Sequence, residues 1–167
     1  MTSRVTKDVE GRRLIVERDY GASADLVWRC WTEAAHLRRW WGPHGWFVDI
    51  FELDVRPGGL WRYRLRPDGE HELDDEHWGR AVYRVVDAPR RLEFDDAVAD
   101  PSGVPVEGSE MPTTVEIGAE GGRTSVTIVV AFAAAEQLEA AEAIGMVEGF
   151  TDALERLEAA LAEAADA

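Results

Sequence analysis

AAEQLEAAEAIGMVEGFTDALERLEAALAEA, residues 134–164, is the stretch on which the fold turns. Ala, Glu and Leu dominate it, all strong helix formers. Its spacing predicts a helix that, if continuous, would be ~45 Å long at 1.5 Å per residue. Leu138, Ala141, Gly145, Phe150, Leu154, Leu157 and Leu161 outline an apolar side, while Glu139, Glu142, Glu155, Glu158 and Glu163 supply the wet one. A helix with one apolar side must lay it on something, and the preceding chain offers a sheet.

The clearest strand lies at 60–66. Trp61, Tyr63 and Leu65 alternate with Arg62, Arg64 and Arg66, the pattern of a half-buried antiparallel strand with a cationic outer face. Further strands are expected at 12–19, 46–55, 78–86, 91–94, 113–117 and 124–132, separated by turn signals such as Arg56-Pro57-Gly58-Gly59, Pro67-Asp68-Gly69 and Glu120-Gly121-Gly122. The acidic, Pro- and Gly-rich segment 95–112 reads as a loop. Two short helices are expected after the first strand. One covers 24–31, with Ser23 as N-cap and Asp25 in its first turn; the other covers 33–40 and stops at Gly42-Pro43. The fold class is therefore α+β: a curved antiparallel sheet of about six or seven strands wrapped on a long C-terminal helix, with a cleft expected beneath it. No repeat or linker marks a second domain, so residues 1–167 are read as a single domain with its core at about 13–161.

Composition narrows the function. Eighteen Lys and Arg against 33 Asp and Glu leave a net charge of −15, unfavourable for binding nucleic-acid phosphates or an anionic membrane. No apolar run approaches the ~20 residues of a membrane span, and the polar first residues lack a signal-peptide core; a cytoplasmic protein is expected. A lone cysteine, Cys30, excludes an internal disulfide and any multi-cysteine zinc site. It reads as a small buried apolar residue.

Val27-Trp28-Arg29-Cys30-Trp31-Thr32-Glu33, then Leu37 and Trp40-Trp41-Gly42-Pro43, resembles the activator of heat-shock protein 90 ATPase-like family, part of the START-like (SRPBCC, Bet v-like) helix-grip superfamily. Further motifs follow in order: Asp54-Val55-Arg56-Pro57-Gly58-Gly59 before Trp61, Pro67-Asp68-Gly69, Pro89-Arg90-Arg91-Leu92, and Gly145-Met146 with Gly149. Together they cover about 13–161. Ser23 and Ala34 depart from the family pattern, which often has proline there, and 71–77 is longer and more acidic. The resemblance implies a helix-grip fold and, as in many single-domain bacterial members, a small-molecule binder. The eukaryotic co-chaperone of this name carries an additional N-terminal chaperone-binding domain; a single domain of 167 residues leaves no room for it, so a chaperone partner is the weaker expectation.

Seven tryptophans stand out, five of them between Trp28 and Trp46. Trp40, Trp41, Trp46, Trp61, Tyr63, Trp78, Met146 and Phe150 are the candidate lining of a cavity for a small apolar or aromatic molecule. The competing reading is that they fill the core; an indole N–H without a protein partner would favour a ligand. Gly145 and Gly149 each cost about 1 kcal/mol against alanine in a helix, so they mark either close packing or space for a ligand. An enzyme of polyketide cyclase or dehydratase type would need polar groups converging in the cavity, and His44, His77, Asp54 and Glu148 are the candidates. None lies in a recognised motif, so no catalytic residue is assigned. His36 reads as a helix-surface residue. His71, Asp74, Asp75, Glu76 and His77 match no standard metal spacing and read as a solvated loop; no metal or cofactor is expected. The remaining protein partner is a second copy in a homodimer.

Overall fold

The computed structural model describes residues 3–72 and 75–165. Its strands are β1 (Arg4–Asp8), β2 (Arg13–Tyr20), β3 (Trp46–Leu53), β4 (Leu60–Pro67), β5 (His77–Asp87), β6 (Arg91–Val98), β7 (Met111–Glu120) and β8 (Arg123–Ala131). Helices α1 (Ala24–Thr32) and α2 (Ala34–Leu37) follow β2, and α3 (Ala135–Ala143) and α4 (Met146–Ala165) follow β8. All eight strands form one curved sheet in the order β1-β2-β8-β7-β6-β5-β4-β3, with every neighbouring pair antiparallel. One sheet face packs with the helices into a single apolar core. This is the expected α+β helix-grip arrangement.

Eight strands replace the expected six or seven. The extra one is β1, an edge strand whose first four side chains are exposed, so it carries no apolar alternation to read. Backbone pairing with β2 holds it, aided by Arg13–Asp8 and by Lys7–Glu142, both at 2.8 Å. The loop expected at 95–112 is also shorter, because β6 continues to Val98 and β7 begins at Met111. The second short helix stops at Leu37, leaving Trp40 in the turn that follows.

The expected terminal helix is two helices. Gly145 breaks it at φ +92°, a left-handed conformation that glycine adopts without strain. Beyond the break, α4 seats firmly only along its later turns. Ala153, Leu154, Leu157, Ala160 and Leu161 are buried, while Met146, Val147 and Phe150 are half-buried. Tyr20 Oη donates to the Leu154 carbonyl at 2.9 Å, and the buried Arg18 guanidinium meets Glu158 at 3.1 Å. Arg156 Nη1 donates to the Gly42 and Pro43 carbonyls at 2.9 and 3.1 Å. These contacts fix the tryptophan-rich turn against the helix. No described helix is long and apolar enough to cross a membrane.

Candidate functional site

Strand register places the candidate residues. Leu53, Trp61, Ala81, Asp96 and Met111 form one cross-strand row on the inner face. In the adjoining row Ile50 pairs with Tyr63 and Tyr63 with Gly79. Ala81 and Gly79 are small, so β5 forms a trough between bulkier neighbours. Tyr63 lies across it: a Cβ added at Gly79 would overlap the Tyr63 ring, with Cε1 only 2.6 Å away. The Tyr63 hydroxyl reaches Asp96 and donates to its carboxylate, 3.2 and 3.1 Å from the two oxygens.

Trp40, Trp41, Trp61 and Tyr63 are all buried, and their rings pack on one another and on Trp31. Trp31–Trp40 meet edge-on with centroids 4.6 Å apart, Trp40–Trp41 at 5.6 Å, Trp41–Trp61 at 4.8 Å and Trp61–Tyr63 at 4.9 Å. Trp40 is satisfied within the core, donating from Nε1 to the Cys30 carbonyl at 2.9 Å. Trp61 is not: its Nε1 is buried with no partner among the described residues, as is that of Trp31. Phe150 reaches the cluster through Trp41, 6.4 Å between centroids. Met146 is half-buried and packs against the core; Trp46 is half-buried at the start of β3, paired with Pro67.

Trp78 does not join them. It pairs with Arg64, whose neighbours Tyr63 and Leu65 point inward, so Trp78 stands on the outer face. There it stacks on Phe51 at 5.3 Å, with the Arg64 guanidinium over both rings at 5.4 and 5.7 Å. The arginine row is paired rather than free. Arg64 and Arg66 converge on Asp49 at 2.6 and 2.8 Å, and Arg62 approaches Glu52 at 3.9 Å. Burial pushes Asp49 upward, but the hydrogen bonds and charges of Arg66 and Arg64 outweigh it and hold the carboxyl below its ordinary value.

Asp96 was hidden in the segment read as a loop. Leu92, Phe94, Asp96 and Val98 continue the alternation of β6, and extending that strand would have placed Asp96 inward. Asp96 keeps some solvent-accessible surface, yet desolvation dominates its titration. Burial pushes it up to about 7, against the lowering effect of hydrogen bonds from Tyr63 and the Ala97 N–H. Burial and the neighbouring Asp96 charge raise Tyr63 well above its ordinary value, so it remains a neutral donor. His77 lies two residues from Gly79 on the same face. It is exposed, and desolvation lowers it from its ordinary value.

The other polar candidates diverge. Asp54 pairs with Arg56 at 2.7 Å beside the β3–β4 turn. Glu148 is exposed on α4. His44 binds Glu155 at 3.1 Å and donates its backbone N–H to the Asp152 carboxylate, 3.3 Å away; ligand atoms of the three lie within 4.8 Å, a set that could hold a metal ion. In the acidic loop His71 pairs with Glu76 at 2.9 Å, and Asp75 accepts the Glu72 N–H at 3.2 Å. Asp74 lies outside the described residues. His36 approaches Glu33 at 3.7 Å. Burial raises the Cys30 thiol to about 11, so it is not a thiolate. Open concavities of about 430 and 680 Å³ lie elsewhere, around Arg91 and Ser125 and around His71 and Glu72. Neither is lined by the aromatic candidates.

A raised carboxyl has a signed consequence for stability. The folded value of Asp96, about 7, lies above its ordinary 3.8. The stabilisation is fully present below the lower value and is lost as pH rises through the upper one. Asp96→Asn removes that dependence while keeping an acceptor for Tyr63. Relative to the parent, the variant should gain on the order of 2 kcal/mol between pH 5 and pH 8. Urea unfolding at both values measures it; an unchanged difference would contradict the assignment.

The model of the Activator of Hsp90 ATPase homolog 1-like protein family matches residues 21–162. An Arthrobacter aurescens protein solved by NMR is 31% identical, with a TM-score of 0.87 over 96% of this chain and 91% of that one. A Mycobacterium smegmatis protein solved by crystallography is 26% identical, with a TM-score of 0.84 over 93% and 94% of the two chains. A Staphylococcus epidermidis protein, 22% identical with a TM-score of 0.81 over 95% and 93%, shares the fold. No curated protein matches the sequence.

Proposed function

Because the chain belongs to the Activator of Hsp90 ATPase homolog 1-like family and has a START-like helix-grip fold, we propose that it binds a small apolar or aromatic molecule. The ligand sits between the inner face of β4–β6 and the first turns of α4. One observation carries this reading: a polar apparatus is set into an otherwise apolar face. The Trp61 N–H is buried without a partner among the described residues, and beside it Tyr63 and Asp96 form a hydrogen-bonded pair. An unpaired buried donor costs about 1–3 kcal/mol, and a bound acceptor would offset that. Met146, Val147 and Phe150, all half-buried on the loosely seated start of α4, supply an apolar mouth. Trp40 belongs to the core behind this site, and Trp41, Trp61 and Tyr63 form its floor.

Native mass spectrometry before and after denaturation tests the proposal, together with titration of the neutral dye Nile red against tryptophan fluorescence. A co-purified mass lost on denaturation, or saturable binding of one dye equivalent that Phe150→Asp weakens at least tenfold, is the expected result. A bare chain that also fails to bind the dye overturns it. Asp96 lends support to a second reading, an enzyme of cyclase or dehydratase type, since acid–base work favours a group that titrates near neutral pH.

A further inference from the structure

Asp96 differs from the other shielded carboxylates in having no cation. Asp49 holds Arg64 and Arg66, Glu76 holds His71 and Arg64, and Glu93 holds Arg84 and Arg91. Among the described residues no Lys, Arg or His nitrogen forms an ion pair with Asp96; its side-chain partner is the Tyr63 hydroxyl. Two neutral donors, the Tyr63 hydroxyl and the Ala97 N–H, leave part of the carboxylate's acceptor capacity unused. Arg18, the one arginine on the inner face of the strands among the described residues, lies on β2 and is engaged by Glu158 and Ser3.

The surroundings suit a positive guest. Tyr63 touches the carboxylate, Phe94 lies two residues away on the same strand face, and Trp61 shares its cross-strand row. Aromatic faces attract cations, most strongly where water is excluded. The net charge of −15 favours cations over anions in the solution around the protein. A guest cation would also stabilise the ionised carboxylate that burial now disfavours.

Resting on the reading that a recess between the inner face of β4–β6 and the first turns of α4 takes a small molecule, we propose that its ligand carries a protonated amine on an apolar or aromatic body. The ammonium is held by Asp96, with Tyr63 orienting the carboxylate. The anionic counterpart of such a ligand is rejected by the same group.

Displacement of Nile red by 2-phenylethylamine, 2-phenylethanol and 3-phenylpropanoate at pH 7.5 separates the possibilities. The amine should compete about tenfold or more better than the alcohol, as expected for a charge-assisted hydrogen bond, and the anion should compete worst. Asp96→Asn should unfold cooperatively and reduce the amine's advantage, read as the ratio of amine to alcohol affinity within that variant, to within about twofold. Tyr63→Phe should lower the advantage without abolishing it. If the dye binds and the alcohol or the anion competes as well as the amine, the amine assignment fails while the recess stands. An advantage that survives in Asp96→Asn also overturns it. If neither dye nor amine binds, the recess reading fails with it.

Discussion

Trp40→Ala is expected to cost about 3–5 kcal/mol of stability, the usual penalty for truncating a buried tryptophan. Trp40 is fully buried, edge-on to both Trp31 and Trp41. Its removal takes a ring from the middle of a three-ring cluster that cannot close the gap without tilting its neighbours. It also strips the Cys30 carbonyl, in the last turn of α1, of the indole donor at 2.9 Å. Trp78→Ala is the matched control: its ring lies half-buried on the outer face against Phe51 and Arg64, so its loss should stay near 1 kcal/mol. Urea unfolding of both variants decides. Equal losses would mean that the cluster around Trp40 is not core.

Gly79→Ala should cost about 1–3 kcal/mol, the range for overpacking a filled site, although glycine to alanine within a strand is ordinarily favourable. The backbone is not the reason, since Gly79 has no positive φ. The reason is the Tyr63 ring, which occupies the volume a Cβ would need. Tyr63 is itself buried and packed against Trp61 at 4.9 Å, so it can yield only by leaving Asp96. In a Tyr63→Ala background the obstacle is gone, and the same substitution should be neutral or stabilising. The double-mutant cycle isolates that coupling. An equal cost in both backgrounds would show that the strain lies elsewhere. In the Tyr63-containing variant, loss of the Tyr63 hydrogen bond should also weaken any ligand that depends on Asp96.

Much of this architecture was legible along the chain because period and punctuation are local properties. Alternation at 60–66 places Trp61, Tyr63 and Leu65 on one face, and β4 puts them there. Ser23 was readable as an N-cap and accepts the Leu26 N–H at 3.2 Å. The motifs from Val27 to Pro43 pointed to the family that the comparisons show. β1 left no such trace, because a strand held at an edge by backbone pairing needs no apolar face. Gly145 was visible as a weak point but was read as packing or ligand space, since a helix-rich composition on both sides does not reveal a left-handed residue.

The chain order therefore carried the element types, the grip of a helix on an antiparallel sheet, and the family. The candidate site needed pairing between strands far apart in sequence. Trp78 and Trp61 look alike in the sequence, yet register sends one outward to stack on Arg64 and the other inward to the core. Asp96 is one acidic residue in an acidic stretch until β6 pairs with β5 and sets it opposite Ala81, within reach of Tyr63. Local sequence specifies which faces alternate. Which side chains meet, and whether a carboxylate finds a cation or a tyrosine hydroxyl, depends on long-range register, and no short stretch of this chain contains it.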